Sequence, residues 1–357
     1  MRKNKMLGIG AAILAIASGY EFFSATRVSA QQATGLEMAQ ESAPALETDL
    51  PAESNTISVP EPSADPIVLN EGAEPRQMLR MTPTVGTEQR TIMDITTEVA
   101  IAINGQSQPS FEAPGTRLVM DSVVTDIDEN GLITLEFVYT DVQMIGSPAL
   151  PPQVVELMRS QISSLVGTGG IIVLDAQGAT QSFTLDVSED LDPTVRASME
   201  QMAQSFQQIS SPLPSEAVGV GAIWQVPQSI LVNGTAISSL ATFELVELEG
   251  DLIELAVSVE QTGEVPISNL LPIPDNIDVS DQSLDSTGTG RTFINLNQIM
   301  PLGSDLTVNT QSTTVVTEAG ISATLEADVQ MDLIMVSDDF ELPTRASDDS
   351  MPVTLQR

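Results

Sequence analysis

Between Ile321 and Met335 the side chains alternate without a break for more than a dozen positions. The odd positions read Ile, Ala, Leu, Ala, Val, Met, Leu, Met and the even ones Ser, Thr, Glu, Asp, Gln, Asp, Ile. Only the two-residue period of a β-strand separates those sets, placing one on a dry face and the other on a wet one. Ile253, Leu255, Val257 and Val259 alternate with Glu254, Ala256, Ser258 and Glu260 in the same way, and Ile95, Val99, Ile101 and Ile103 share one face. A strand of ~15 residues rises about 50 Å, so the expected fold class is mainly β: a long antiparallel sheet or open barrel. Asn-Gly pairs at 104–105, 130–131 and 233–234 lie between such runs and signal tight hairpin turns.

Two amphipathic helices are expected to cover this sheet. The first opens at Pro151 or Pro152, carries Val154, Met158, Ile162 and Leu165, and stops at Gly167. The second takes Asp192 as N-cap and Pro193 in its first turn, then runs through Val195, Met199, Met202, Phe206 and Ile209. Its regular stripe fits packing on the sheet better than docking of a partner helix.

The chain also repeats an order of elements. Val85-Gly86 precedes a strand, the 104–105 turn, another strand and VTDIDENGLITLEF; Val220-Gly221 precedes a strand, the 233–234 turn, another strand and LVELEGDLIELAV. This predicts a duplicated body over 76–340, with halves of about 76–190 and 212–340. Residues 31–75 hold nine acids, six prolines and no base, a composition that cannot offset chain entropy by burial and reads as a disordered tether. Residues 341–357 read as a loose tail.

Residues 1–30 have the form of a cleaved export signal: Arg2, Lys3 and Lys5, an apolar run from Met6 to Ala17, and Val28-Ser29-Ala30 before Gln31. Glu21 interrupts the run well short of the roughly 20 residues that cross a bilayer. The expectation is therefore a periplasmic or secreted protein with no integral membrane span after cleavage. Its oligomeric state is open. With no cysteine to form disulfides, packing alone must hold the fold. A net charge of −36 repels phosphate and anionic headgroups, which excludes nucleic acid as a partner and suits saline surroundings.

The stretch from Leu213 to Val226, LPSEAVGVGAIWQV, resembles an uncharacterised family of exported bacterial proteins, a domain of unknown function. The resemblance implies an exported β architecture over about 76–340, with Trp224 as a core anchor, and no activity or site residues.

In DIDENGLITLEF, Asp126, Asp128 and Asn130 stand at positions 1, 3 and 5 of a calcium loop with Gly131 at the turn. Position 12, however, is Phe137 rather than glutamate, and the second half turns at Glu249-Gly250-Asp251 without that series. A hairpin turn is the expectation, with these three residues the weak calcium candidates. Gly167-Thr168-Gly169-Gly170 and Thr287-Gly288-Thr289-Gly290 lack the Gly-Lys-Ser/Thr of a phosphate loop and read as flexible turns.

With no histidine or cysteine, and its two lysines within the signal, the mature chain has no Ser-His-Asp triad, thiolate, Schiff base or imidazole-held metal. Paired carboxylates could still hydrolyse glycosides, but the aromatic platforms of sugar sites are scarce. No enzyme activity and no cofactor are expected. Met93, Met120, Met144, Met331 and Met335 on one-sided strands suggest a binding module for an apolar or amphipathic, lipid-like ligand. The alternative is a structural or interaction protein of the cell envelope that engages an envelope protein through its sheet edges or tether.

Overall fold

The structure, a computed structural model, describes residues 65–146, 152–163, 165–186, 213–232, 235–264, 277–318 and 321–343. In chain order the strands of the first part are β1 (Ile67–Asn70), β2 (Gln77–Met78), β3 (Glu88–Ile103), β4 (Gln106–Ser107), β5 (Phe111–Ile127) and β6 (Ile133–Ile145). The helix α1 (Pro152–Ser163) precedes β7 (Gly169–Leu174) and β8 (Thr180–Asp186). The second part holds β9 (Ala217–Val218), β10 (Ile223–Val232), β11 (Thr235–Glu249), β12 (Leu252–Gly263), β13 (Ile277–Asn295), β14 (Gly303–Glu318) and β15 (Ile321–Ser337).

All but β2 and β9 join one 13-stranded sheet, in the order β1-β10-β11-β12-β13-β14-β15-β3-β5-β6-β7-β8, with β4 hydrogen-bonded to β3. Every pairing among these strands is antiparallel. The sheet consists of two meanders, β3-β5-β6-β7-β8 and β10 to β15, joined where β15 lies against β3 with Met335 opposite Met93 and Leu325 opposite Ile103. The mainly β, antiparallel architecture expected from the alternation is thus observed.

Two covering helices are not found among the described residues. Among the described residues there is a single helix, α1, whose Ile162 is buried against the cluster of Met120, Phe137, Tyr139 and Phe183. Twelve helical residues span about 18 Å, too little to cover strands of up to 19 residues. The expected helix from Asp192 to Ile209, the Asn233-Gly234 turn and the export signal lie outside the described residues.

Two boundaries move. Ile67–Asn70, counted within the tether, is a strand because Ile67 and Val68 align with Gln225 and Trp224 of β10. Glu341–Pro343, counted as loose tail, follows a turn closed by Phe340 N–H on the Ser337 carbonyl. The sequence Thr287-Gly288-Thr289-Gly290 is no turn either. It lies inside β13, with Gly288 opposite Val308 and Gly290 opposite Leu306. A Cβ on Gly290 would strike the carbonyl of Asp305, so glycine here allows close strand approach.

The core gathers where the Val-Gly turns lie. Trp224, Val226, Phe243, Leu245, Ile253 and Leu255 pack with Leu79 and Leu213 from the segments that precede each meander. Those segments are tied to both meanders: Met81 N–H donates to the Ala176 carbonyl, Thr82 N–H to Leu296, and Leu213 N–H to Gln177. Arg80 fastens the two segments together through the carbonyls of Pro214 and Ser215.

Candidate functional site

The registers fix which side chains share a face, and they segregate charge. One face carries Trp224, Val226 and Gln228 of β10, Ser239 to Leu245 at odd positions of β11, and Ile253 to Gln261 at odd positions of β12. It continues through Leu284 to Ile294 at even positions of β13 and Ser304 to Val316 at even positions of β14. The odd positions of β15 and β3 follow, then Leu118, Met120, Ser122 and Val124 of β5, and Leu135, Phe137, Tyr139 and Val142 of β6. No residue of this set is charged. The opposite face holds Arg90, Asp94 and Glu98 of β3, Arg117 and Asp121 of β5, Glu254, Arg291, Asp305, Asp328 and Asp332. Burial of an unpaired charge is costly, which explains so complete a separation in so acidic a chain.

The uncharged face is not uniformly apolar. Ser239, Ser286 and Thr314 of β11, β13 and β14 are buried on it. Ser286 and Thr310 hydroxyls meet at 2.8 Å across β13 and β14, and Gln261 Nε2 donates to Ser239 Oγ at 3.4 Å. Half-buried Ser312 and Thr97 lie on the same face. All five methionines singled out in the sequence are also on it. Buried hydroxyls are mostly hydrogen-bonded, as Ser286 and Thr310 are, although the buried Thr91 hydroxyl on this face has no partner; together these groups form a neutral polar band between apolar flanks. Near its edge Tyr139 stacks edge-on against Phe137 with centroids 5.8 Å apart, and burial pushes its phenol upward.

On the charged face the arginines of β3, β5 and β13 each meet an aspartate directly across a strand pair. Arg117 grips Asp94 with two bonds of 2.7 and 2.6 Å, a pairing that raises the guanidinium further. Arg90 meets Asp121 at 2.8 Å and Arg291 meets Asp305 at 3.3 Å. Arg291 also faces Glu254 at 3.7 Å. Burial raises the Glu254 carboxyl above its ordinary range; Arg291 opposes this, and Glu247 and Asp305 add to it. With Arg291 engaging both carboxylates, the cluster is a charge network. Sequence reasoning missed these pairs, because their only signal is an Arg and an Asp at positions that become opposite once the register is known.

The calcium candidates do not form a cage. Asp126 follows a bulge in β5 on the charged face. Asp128 Oδ1 accepts the N–H groups of Asn130 and Leu132, both at 2.8 Å, and the Asn130 amide donates to Asp128 Oδ2 at 3.2 Å. These bonds, that from Leu132 foremost, hold the Asp128 carboxyl below its usual range. Its lone pairs therefore close a turn whose Gly131 has φ 82°. No group of three or more His, Cys, Asp or Glu that could hold a metal occurs among the described residues.

No family profile and no curated protein matches the chain. Among solved structures it is similar to a loop-deletion mutant of OmpT, an outer membrane protein of Vibrio cholerae, with 6% identity and a TM-score of 0.19 over 70% of this chain and 100% of that one. A triple mutant of the Rhodopseudomonas blastica porin gives 8% and 0.19 over 69% and 100%, and OpdR of Pseudomonas aeruginosa 7% and 0.20 over 73% and 100%. At such scores the likeness carries no argument about what this chain does. It does correct two expectations. The absence of an integral span rested on the lack of an apolar helix, yet porins cross membranes with strands. No helix among the described residues is long and apolar enough to cross, which does not bear on strands. With that support gone, the soluble module for an apolar or amphipathic ligand, its envelope-interaction alternative and the partners attached to them are withdrawn.

Proposed function

We propose that this chain is an exported, non-catalytic protein of the bacterial envelope, periplasmic or secreted, built from a duplicated meander. Its working surface is the uncharged face, and its ligand is uncharged and rich in hydrogen-bonding groups. The observation that carries this reading is the row of buried or half-buried hydroxyls and amides that the register aligns, Ser239, Gln261, Ser286 and Thr310, on a face without charge. An ionic ligand there would lose its hydration without gaining a counter-charge. A neutral ligand exchanges the mutual bonds of these side chains for its own at little net cost. Non-catalysis is supported by the residue inventory and by the ion pairing of Glu254, the one carboxyl raised by burial among the described residues.

Isothermal titration of the full chain with maltotriose, chitotriose and N-acetyl-trialanine amide tests the reading. At least one is expected to bind, and Ser286→Val with Thr310→Val should weaken it by about tenfold, the equivalent of one hydrogen bond. Failure of all three at millimolar concentration, or binding indifferent to the double substitution, would overturn it.

A further inference from the structure

Phe293 lies on the charged face of β13, two residues from Arg291, yet it is only 5% exposed. Its cover is the chain's own Phe340, whose ring meets it at 5.3 Å between centroids. Beneath the strap sits Gly303: a Cβ there would come within 2.6 Å of the Phe340 ring and 2.9 Å of Leu342. Arg291 closes the far side, donating to the Pro343 carbonyl at 3.2 Å. Its guanidinium is held by Asp305 and Glu254 and lies 5.7 Å from the Phe293 ring centroid. The strap thus has an aromatic anchor, a leucine in a steric notch and a carbonyl on an arginine, whereas the hinge residues Asp338 and Asp339 are exposed.

We propose that Arg291, Phe293 and Gly303 form a peptide-docking notch on the charged face, occupied in this chain by its own Phe340-Glu341-Leu342-Pro343. Recognition uses the features seen in the strap: an aromatic ring set between Phe293 and Gly303, a leucine beside it at Gly303, and a main-chain carbonyl toward Arg291. The docked tail is a self-contact that a free peptide of the same sequence displaces only by competing with a tethered copy at high effective concentration. The proposal is independent of the ligand assigned to the uncharged face, since the two lie on opposite sides of the sheet.

The test uses a fluorescent peptide spanning Asp338 to Pro343 and two full-length variants: Phe340→Ala with Leu342→Ala, which empties the notch, and the same pair with Gly303→Ala added, whose methyl occupies the space that the Phe340 ring fills. The first variant, if its circular dichroism matches wild type, should bind the peptide saturably and at least about tenfold more tightly than wild type, and the added Gly303→Ala should remove that gain. Adding Arg291→Ala, or replacing the peptide's phenylalanine by alanine, should abolish that gain. In wild-type protein, chymotryptic cleavage after Phe340 should rise with added peptide. Equal peptide binding by wild type and the first variant, or a wild-type cleavage rate unmoved by saturating peptide, overturns the proposal.

Discussion

The two meanders begin alike and are filled differently. Gly86 N–H donates to the Val124 carbonyl at 2.8 Å and Val124 N–H to Thr87; Gly221 N–H donates to Leu245 at 2.8 Å and Leu245 N–H to Ala222. Both glycines have positive φ, 89° and 82°. The register then shifts at the same place in each, between Val124 and Asp126 and between Leu245 and Glu247. Yet three residues after each glycine the first meander has Gln89 and the second Trp224. Trp224 stacks on Phe243 at 5.7 Å and anchors the core. Gln89, opposite Ser122, donates to the carbonyls of Met300 and Pro301. One backbone plan therefore serves as a packing site in one half and a loop tether in the other. The turn glycine and the bulge specify the path, while the side chains decide what is held there.

The largest expected effect sharpens that contrast. Trp224→Ala should cost about 3–5 kcal/mol, the usual loss for a fully buried aromatic, while Gln89→Ala costs about 1 kcal/mol through lost hydrogen bonds. Urea unfolding of both variants checks this, and equal losses would erase the distinction. Next come the arginines. Arg291→Ala, which removes the guanidinium from Glu254 and Asp305, should cost about 2 kcal/mol, whereas Arg117→Ala removes a more exposed pair worth less than about 1 kcal/mol. Double-mutant cycles with Asp305→Ala and Asp94→Ala measure each pair.

Gly86→Val and Gly221→Val should each destabilise by roughly 1 kcal/mol or more, and equally, because no atom lies within 4 Å of either added Cβ and the cost is the left-handed backbone alone. Unequal midpoint shifts would break the correspondence. The smallest effect concerns the hairpin tips. Asp128 closes its own turn, whereas Asp251 reaches out to the Asn297 amide at 2.8 Å. Asp128→Ala should therefore lower the melting temperature at neutral pH, and Glu249→Ala should not. Since the Asp128 carboxyl is held below its ordinary range when folded, its stabilisation is complete above the unfolded value and disappears as pH falls through the folded one. Wild-type and Asp128→Ala melting curves should converge in acid; a constant gap would show that the carboxylate is not the stabilising group.

Much of this was legible because a strand writes its two faces into alternate residues. The alternation at Ile321–Met335 assigns the faces of β15 without any structure, and Asn104-Gly105 and Asn130-Gly131 both mark hairpin turns, their glycines at positive φ. What failed depended on partners distant in sequence. Gly288 and Gly290 read as a turn until the approach of β14 is known, and Ile67–Asn70 reads as tether because Pro66 and the acids around it outweigh four residues whose partner is β10. The neutral band was hidden for the same reason: Ser239, Gln261, Ser286 and Thr310 are unremarkable residues until four strands align them.

The central claim is that β15 and β3 join the two meanders into one sheet with a charged and an uncharged face. Since the chain has no cysteine, a cross-link reads it directly. Ala100→Cys with Asp328→Cys places two thiols opposite each other on the charged face, within disulfide reach for a directly opposed pair. Ala100→Cys with Ala327→Cys places them on opposite faces, where a strand's alternation keeps them apart. The account predicts that mild oxidation of the first variant gives an intramolecular disulfide, detected as a two-proton mass loss, and that the second gives none. No bond in the first, or equal bonding in both, would contradict it.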